Sequence, residues 1–287
     1  DLLGHTTHGL AQLPGYLTEL RQGTMRKDGT PTVVNARPAT ETWDGGRLPG
    51  PWLTLRALDR AAAMAAACGT GTVVIRRSHH IACLAAYLKR ATDRGLMLIV
   101  ACSDPSGASV APFGAVTPVF TPNPIAAGVP TAGDPILLDV SASYTTNGLT
   151  GRLFKAGQKL PHPWVQDAQG RATDDPAVLF AEPKGTLLPL GGLEAGHKGY
   201  ALALLIEALT GGLTGFGRAD PSEGWGATVF VQALDPAAFG EQGIQEQREV
   251  AVHVLRDRHP AHEVPGLERP GMGDHHDLVG KQVGVDL

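Results

Sequence analysis

Apolar positions along this chain change their spacing several times, and each change predicts an element. The first residues read as a histidine-bearing loop, followed by a helix over about 10–22 that stops at Gly23. Residues 57–67 are alanine-rich, which favours helix, and Gly69 ends the run. The β-branched run Thr72-Val73-Val74-Ile75 predicts a strand. Ile81, Leu84, Ala85 and Leu88 recur at helical spacing, so a helix is expected over 81–94 with Gly95 as its stop. Residues 96–102 are continuously apolar and read as a buried strand. Further strands are expected over 135–140 and 227–234, a long apolar helix over 198–213, and an amphipathic helix over 244–256. Residues 31–53 and 103–134 are rich in Pro, Gly, Ser or Thr and read as irregular. Residues 141–195 read mostly as loop, with one short helix near Lys155, and the tail from His259 is again Pro/Gly-rich. A loop of about 30 residues, such as 103–134, is unusual in a compact domain unless it carries function. The fold class is therefore α/β (mixed α+β), without internal repeats.

Composition narrows the class of protein. The chain has 287 residues, 43% hydrophobic and 18% charged, enough for one large domain or two intertwined ones. The formal charge is -4 and no basic block stands out, so no nucleic-acid footprint is expected. The 37 glycines signal many turns and backbone that approaches a ligand closely. Cys68, Cys83 and Cys102 are scattered and odd in number. They read as reduced core thiols of a cytoplasmic protein rather than a disulfide or zinc framework. No apolar run reaches the ~18 residues that span a bilayer, and no signal peptide is visible, so no membrane partner is expected.

The chemistry-bearing segment is Ser78-His79-His80, between the strand at 72–75 and the helix expected from 81. Imidazole is the default proton carrier near neutral pH. At a helix N-terminus the peptide dipoles would keep it neutral and able to accept a proton. The alternative is that Ser78 caps the helix and both histidines are boundary residues. Gly196-His197-Lys198-Gly199-Tyr200 has two readings as well: a helix start that holds a phosphate, or a turn with a solvated lysine. No Gly-x-Gly-x-x-Gly follows a strand, and there is neither a phosphate-binding Gly-Lys-Ser/Thr loop nor a Gly-x-Ser-x-Gly elbow. Eleven histidines invite a metal, but none has His-x-x-x-His spacing with a third carboxylate, so no metal is expected. Asp134, Asp139 and Asp167 are candidate carboxylate partners that nothing in the sequence pairs.

Taken in order, several motifs resemble the malate/L-lactate dehydrogenase family, whose nicotinamide site is not a Rossmann domain. Asp1-x-x-Gly4-His5-x-Thr7-His8-Gly9 is similar to the family's Gly-His-x-Ser-His-Gly, with Tyr16 following at the expected distance. Ser78-His79-His80 resembles its Asn-x-His segment. Pro112-Phe113-Gly114, Asn123-Pro124, and Leu138-Asp139 with Ser141 and Ser143 match further segments. So do Trp164-x-x-Asp167-x-x-Gly170 with Thr173, Leu188-Pro189-Leu190-Gly191-Gly192, Lys198-Gly199-Tyr200 and Pro270-Gly271.

The resemblance implies a non-Rossmann fold with a central mixed or antiparallel sheet and flanking helices. One part, 1–110 with 240–287, would carry substrate and dimer contacts; the other, 111–239, would hold the cofactor. It implies hydride transfer between NAD or NADP and a small 2-hydroxy or 2-oxo acid, in a homodimer. His80 matches the catalytic acid/base and His8 a catalytic histidine at the substrate. Thr7, Gln12, Tyr16, Ser103 and Asp104 match substrate-side positions. Pro112, Gly114, Asn123, Ser141, Ser143, Tyr144, Thr145, His197, Lys198, Gly271 and Met272 match cofactor contacts. Three positions depart: Thr7 replaces Ser, Gly273 replaces Glu after Pro-Gly, and Gln12 replaces an Arg able to pair a substrate carboxylate. Glutamine cannot make that charge-assisted, two-pronged contact. The other readings are a cyclic-imine carboxylate reductase and a catalytically idle member that acts as a binding protein.

Overall fold

The computed structural model describes residues 7–220 and 224–240. In chain order it contains α1 (Leu13–Gln22), β1 (Thr32–Arg37), β2 (Thr40–Asp44), α2 (Gly50–Cys68), β3 (Thr70–Ser78), α3 (Ala85–Thr92) and β4 (Met97–Ser103). There follow β5 (Pro124–Val129), β6 (Ile136–Ser141), α4 (Asn147–Lys155), β7 (Val165–Gln166), β8 (Ala172–Thr173), β9 (Thr186–Leu187), α5 (Gly192–Ala195), α6 (His197–Glu207) and β10 (Ala227–Leu234).

Seven strands form one mixed sheet in the order β1-β2-β3-β10-β4-β5-β6, and β8-β7-β9 form a small second sheet. Only β2 and β3 pair in parallel; every other neighbouring pair in the large sheet is antiparallel. The late strand β10 sits between β3 and β4, so the sheet closes only when distant parts of the chain meet.

Side chains alternate across the sheet. Val73 and Ile75 of β3, Val229 and Val231 of β10, and Leu98 and Val100 of β4 pack in one core with Leu53, Leu58 and Leu88 of α2 and α3. Val74, Phe230 and Ala101 face the other way and join Ala203 and Ile206 of α6 and Leu187 of β9. The central strands are covered on both faces, which explains the unbroken apolar run at 96–102.

Several expectations need correction. Residues 31–53 are not irregular: they form β1, β2 and the start of α2. In β2, Glu41 and Trp43 turn inward between exposed or half-buried threonines, an alternation hidden by the Pro and Gly around it. Pro51 does not delay α2, because the first helical turn has no partner for its N–H and suits proline's fixed φ. Residues 103–134 include β5, whose small Ala126, Ala127 and Gly128 gave little strand signal. Helix α3 is shorter than expected, since Ala82 takes a left-handed φ of 60° and residues 79–83 are non-helical. The helix expected at 198–213 is α6 continued by a π-turn over Ala208–Gly212. Cys68, at the end of α2, is exposed rather than a core thiol, although all three cysteines are free. The helix expected over 244–256 lies outside the described residues. Among those described, no helix is long and apolar enough to cross a membrane.

Candidate active site

His79 and His80 follow the last residue of β3 on non-helical chain, five residues before α3 begins. The helix dipole is therefore not what keeps His80 neutral, and Ser78 caps nothing: its hydroxyl donates to the His79 carbonyl at 2.8 Å. Burial has that role instead. It lowers the His80 imidazole to about 3, helped by the proximity of His8 and His79. Helix α2 presses against this segment from below. A Cβ on Gly50 would lie 2.3 Å from the carbonyl oxygens of both His79 and His80, so only glycine fits there.

The opening loop and α1 cover the other side. Tyr16 Oη lies 2.5 Å from His80 Nδ1. Burial, with Glu19 nearby, pushes the Tyr16 phenol up to about 12, so it stays protonated. The His8 and His80 rings are 5.7 Å apart, centre to centre. Burial lowers His8 as well, opposed by the charge of Asp139. Thr7 Oγ1 is 3.0 Å from His8 Nδ1, and Gln12 donates its amide to the Thr7 carbonyl at 2.6 Å. His80, His8, Thr7, Gln12 and Tyr16 thus come together as expected from the resemblance. Glu19 and Trp225 join them without any sequence forecast. The Trp225 ring is 4.8 Å from that of His80, and its Nε1 donates to Glu19 Oε1 at 3.0 Å. Glu19 lies three residues after Tyr16, a helical spacing that could have flagged it. Trp225 had no such signal.

Asp104 and Ser103 sit at the end of β4 but face different groups. Asp104 acts electrostatically on His79 and accepts from the Gly226 N–H at 3.3 Å, beside Trp225. Ser103 donates to Glu207 Oε1 at 2.6 Å, within a network that the sequence did not reveal. The same oxygen accepts from Asn123 Nδ2 at 2.8 Å and from Arg218 at 2.7 Å. Asn123 is fully buried in that network.

The remaining cofactor-side positions gather around α4, α5 and α6. Pro112 and Gly114 line a cleft of about 210 Å³ with Phe113, Gln166, Gly192 and Leu193. Phe113 meets His197 edge-on at 5.7 Å. Ser141 ends β6. Ser143 donates to the Thr145 carbonyl at 2.8 Å, just before α4 begins at a Thr146 cap. Tyr144 packs on Gly192. Gly199 is needed for packing: its Cβ would lie 2.4 Å from Leu190 N and 2.7 Å from the Ala142 carbonyl oxygen. Two observations suit a bound dinucleotide here. Thr145 Oγ1 is buried without a hydrogen-bond partner, and Lys198 is exposed at the start of α6. The start of α4 also adjoins the opening loop, with Thr7 Cβ 3.4 Å from a Cβ built on Gly148. Gly271 and Met272 lie outside the described residues. Among the described residues no group of three His, Cys, Asp or Glu side chains is placed to hold a metal ion.

The molecule thus combines a half-buried imidazole beside a second histidine with a separate cleft that Gly114, Gly170 and Gly192 help to line. The family described as Malate/L-lactate dehydrogenase matches residues 1–278, so the chain belongs to that family of dehydrogenases and reductases. It is 33% identical over 281 residues to a (2R)-3-sulfolactate dehydrogenase (NADP(+)) of Chromohalobacter salexigens, covering 95% of this chain and 79% of the relative. It is 31% identical over 262 residues to a Delta(1)-pyrroline-2-carboxylate/Delta(1)-piperideine-2-carboxylate reductase of Pseudomonas putida, covering 88% and 74%. In structure it resembles delta1-piperideine-2-carboxylate reductase from Pseudomonas syringae, with a TM-score of 0.78 and 28% identity over 88% of this chain and 77% of that one.

Proposed function

We propose that this enzyme transfers hydride between NAD or NADP and a small 2-hydroxy or 2-oxo acid, with His80 moving the proton. The observation that carries the reading is the setting of His80: half-buried, held at Nδ1 by Tyr16 and facing His8, with desolvation keeping the ring neutral. The nicotinamide, when bound, supplies the hydride chemistry. Ser143, Thr145, His197 and Lys198 would hold the dinucleotide. What remains for the chain itself is to orient the substrate and manage one proton. The Tyr16 hydroxyl can accept from or donate to Nδ1, so it supports either imidazole tautomer. With Nδ1–H donated to Tyr16, Nε2 is free to take the proton of a substrate hydroxyl. In the reverse direction the ring takes a second proton from solvent, and the imidazolium Nε2–H donates it to the substrate oxo oxygen as hydride arrives at carbon, leaving His80 neutral. Among the described residues Nε2 has no hydrogen-bond partner, and His8 stands opposite to fix the substrate.

A second substrate class has its own support. Gln12 spends its amide on Thr7, and the ionised groups acting on His8 and His79 are Asp139, Glu19 and Asp104, all acidic. That field suits a monoanionic acid with a protonated nitrogen, such as a cyclic imine carboxylate, better than a dicarboxylate. Leu13 and Leu17 of α1 are 49% and 41% exposed, an apolar surface for a second copy; we place the enzyme as a homodimer in the cytoplasm.

The test is turnover of pyruvate, oxaloacetate and a cyclic imine carboxylate with NADH and with NADPH, for the wild type and His80→Ala. We expect His80→Ala to lower kcat at least ~100-fold with cofactor affinity intact. Unchanged turnover would remove His80 from the reaction. A marked preference for oxaloacetate would remove the second substrate class.

A further inference from the structure

The proton transfer assigned to His80 does not use three of its neighbours, Glu19, His79 and Trp225. None of the residues of α1 is fully buried, so apolar packing alone does not hold this helix over the site. Polar contacts do. Tyr16 and Glu19 lie three residues apart and share a helix face. Tyr16 meets His80, and one turn later Glu19 divides its carboxylate between two other groups. Oε1 accepts from Trp225 Nε1 at 3.0 Å. Oε2 lies 2.7 Å from His79 Nε2, at ion-pair distance though outside hydrogen-bond geometry. Both groups flank His80. The Trp225 ring lies against it at 4.8 Å and 44°, while His79 precedes it in the chain and is pinned edge-on by Tyr16 at 5.3 Å.

Trp225 precedes β10, outside the strand pairing. Its neighbour Gly226 is held by Asp104, and its side chain is held by Glu19. Without the carboxylate, the ring would lose its polar anchor and be free to turn away from His80. The short contact between Glu19 and His79 would go as well, leaving Tyr16 as the tie between α1 and the histidine segment.

Resting on the reading of His80 as the proton carrier, we propose that Glu19 is a positioning residue. It fixes the Trp225 ring as the wall against His80 and ties α1, with Tyr16, to that wall. It touches neither His80 nor substrate. Its two oxygens serve two neighbours at once, one accepting from Trp225 and the other lying against His79. Glutamine keeps one acceptor, enough for Trp225, and loses the other.

The test uses the full chain with Glu19→Ala, Glu19→Gln and Trp225→Phe. The emission of wild type minus Trp225→Phe isolates Trp225 from Trp43, Trp52 and Trp164. In Glu19→Ala we expect the Trp225 emission to shift to the red and to become more open to acrylamide quenching. We expect kcat to fall about tenfold or more, because a small misplacement of a catalytic group is costly, while the Kd for NADH or NADPH stays within about twofold. Glu19→Gln should restore the emission and most of kcat, a rescue that a merely structural role would not give. Unchanged Trp225 emission and quenching in folded Glu19→Ala, or unchanged kcat, would overturn the proposal. If the wild type turns over none of the substrates, the reading of His80 falls, whereas the emission still decides whether Glu19 holds Trp225.

Discussion

The polar cluster around Glu207 and the one around His80 are built from different residues and are left in opposite states. At Glu207, Ser103, Asn123 and Arg218 all donate to one carboxylate oxygen, and Arg218 also donates to the Gly107 carbonyl at 2.7 Å. Thr121 donates to Asn123 in turn. Around His80 stand imidazoles, a phenol and an indole; the one carboxylate close by, Glu19, is turned to Trp225 and His79 and does not reach His80. The first cluster has committed its donors and acts as a structural tie between β4, α6 and the chain leading to β10. The second leaves His80 neutral with its Nε2 uncommitted among the described residues, the condition in which an imidazole can take up a proton and release it. Residue type and saturation together separate the cluster that ties the fold from the one proposed to carry the proton.

The largest effect that could break this contrast is on stability. Arg218→Ala leaves Glu207 without its cation. With about a fifth of each side chain exposed, the cost should be about 2–3 kcal/mol, less than for a fully buried pair. That corresponds to a Tm lower by roughly 4–12 °C, with turnover per folded molecule little changed. A Tm within a degree of wild type, with kcat collapsed, would reverse the roles of the two clusters.

Next is the pH dependence of stability. His80 titrates at about 3 in the folded protein, against an ordinary value of 6.5. Between those values the unfolded chain binds a proton that the folded one does not. Stability is therefore full above pH 6.5 and falls as the pH drops from 6.5 toward 3. About 2 kcal/mol should be lost by pH 5 from this residue, and His8 and His79 act in the same direction. Urea melts at pH 7.5 and 5 should show His80→Asn losing about 2 kcal/mol less than wild type. Equal losses would mean that burial does not hold His80 neutral.

The smallest effect concerns the cofactor side. Lys198→Ala should raise the Kd for the reduced cofactor roughly tenfold, about 1.4 kcal/mol, if its ammonium meets a phosphate. An unchanged Kd would return Lys198 to the solvated surface.

How much the sequence disclosed follows the same physics. Strands covered on both faces, such as β4, and helices with a regular apolar face, such as α2, announce themselves by period. β5 did not, because Ala and Gly fill the space where α3 crosses close over it. The histidines were legible from the motifs, but their environment was misread: a helix expected from residue 81 begins at 85, so burial replaces the helix dipole as the cause of neutrality. Trp225 stayed hidden, as did the contacts of Glu207 with Ser103 and Asn123, because the partners come from distant stretches of chain; Arg218 meets Glu207 from nearer by, but across a turn that no periodic spacing records. Ser103 and Asn123 were visible as motif residues, yet their commitment to Glu207 was not.

The most direct measurement is an NMR titration of the imidazole nitrogens in histidine-labelled enzyme, with His80 assigned by comparison with His80→Asn. The structure predicts a His80 ring that stays neutral from pH 8 to below pH 5, since its pKa is about 3. A ring that becomes imidazolium near pH 6.5, like a solvated histidine, would contradict burial as the source of its neutrality.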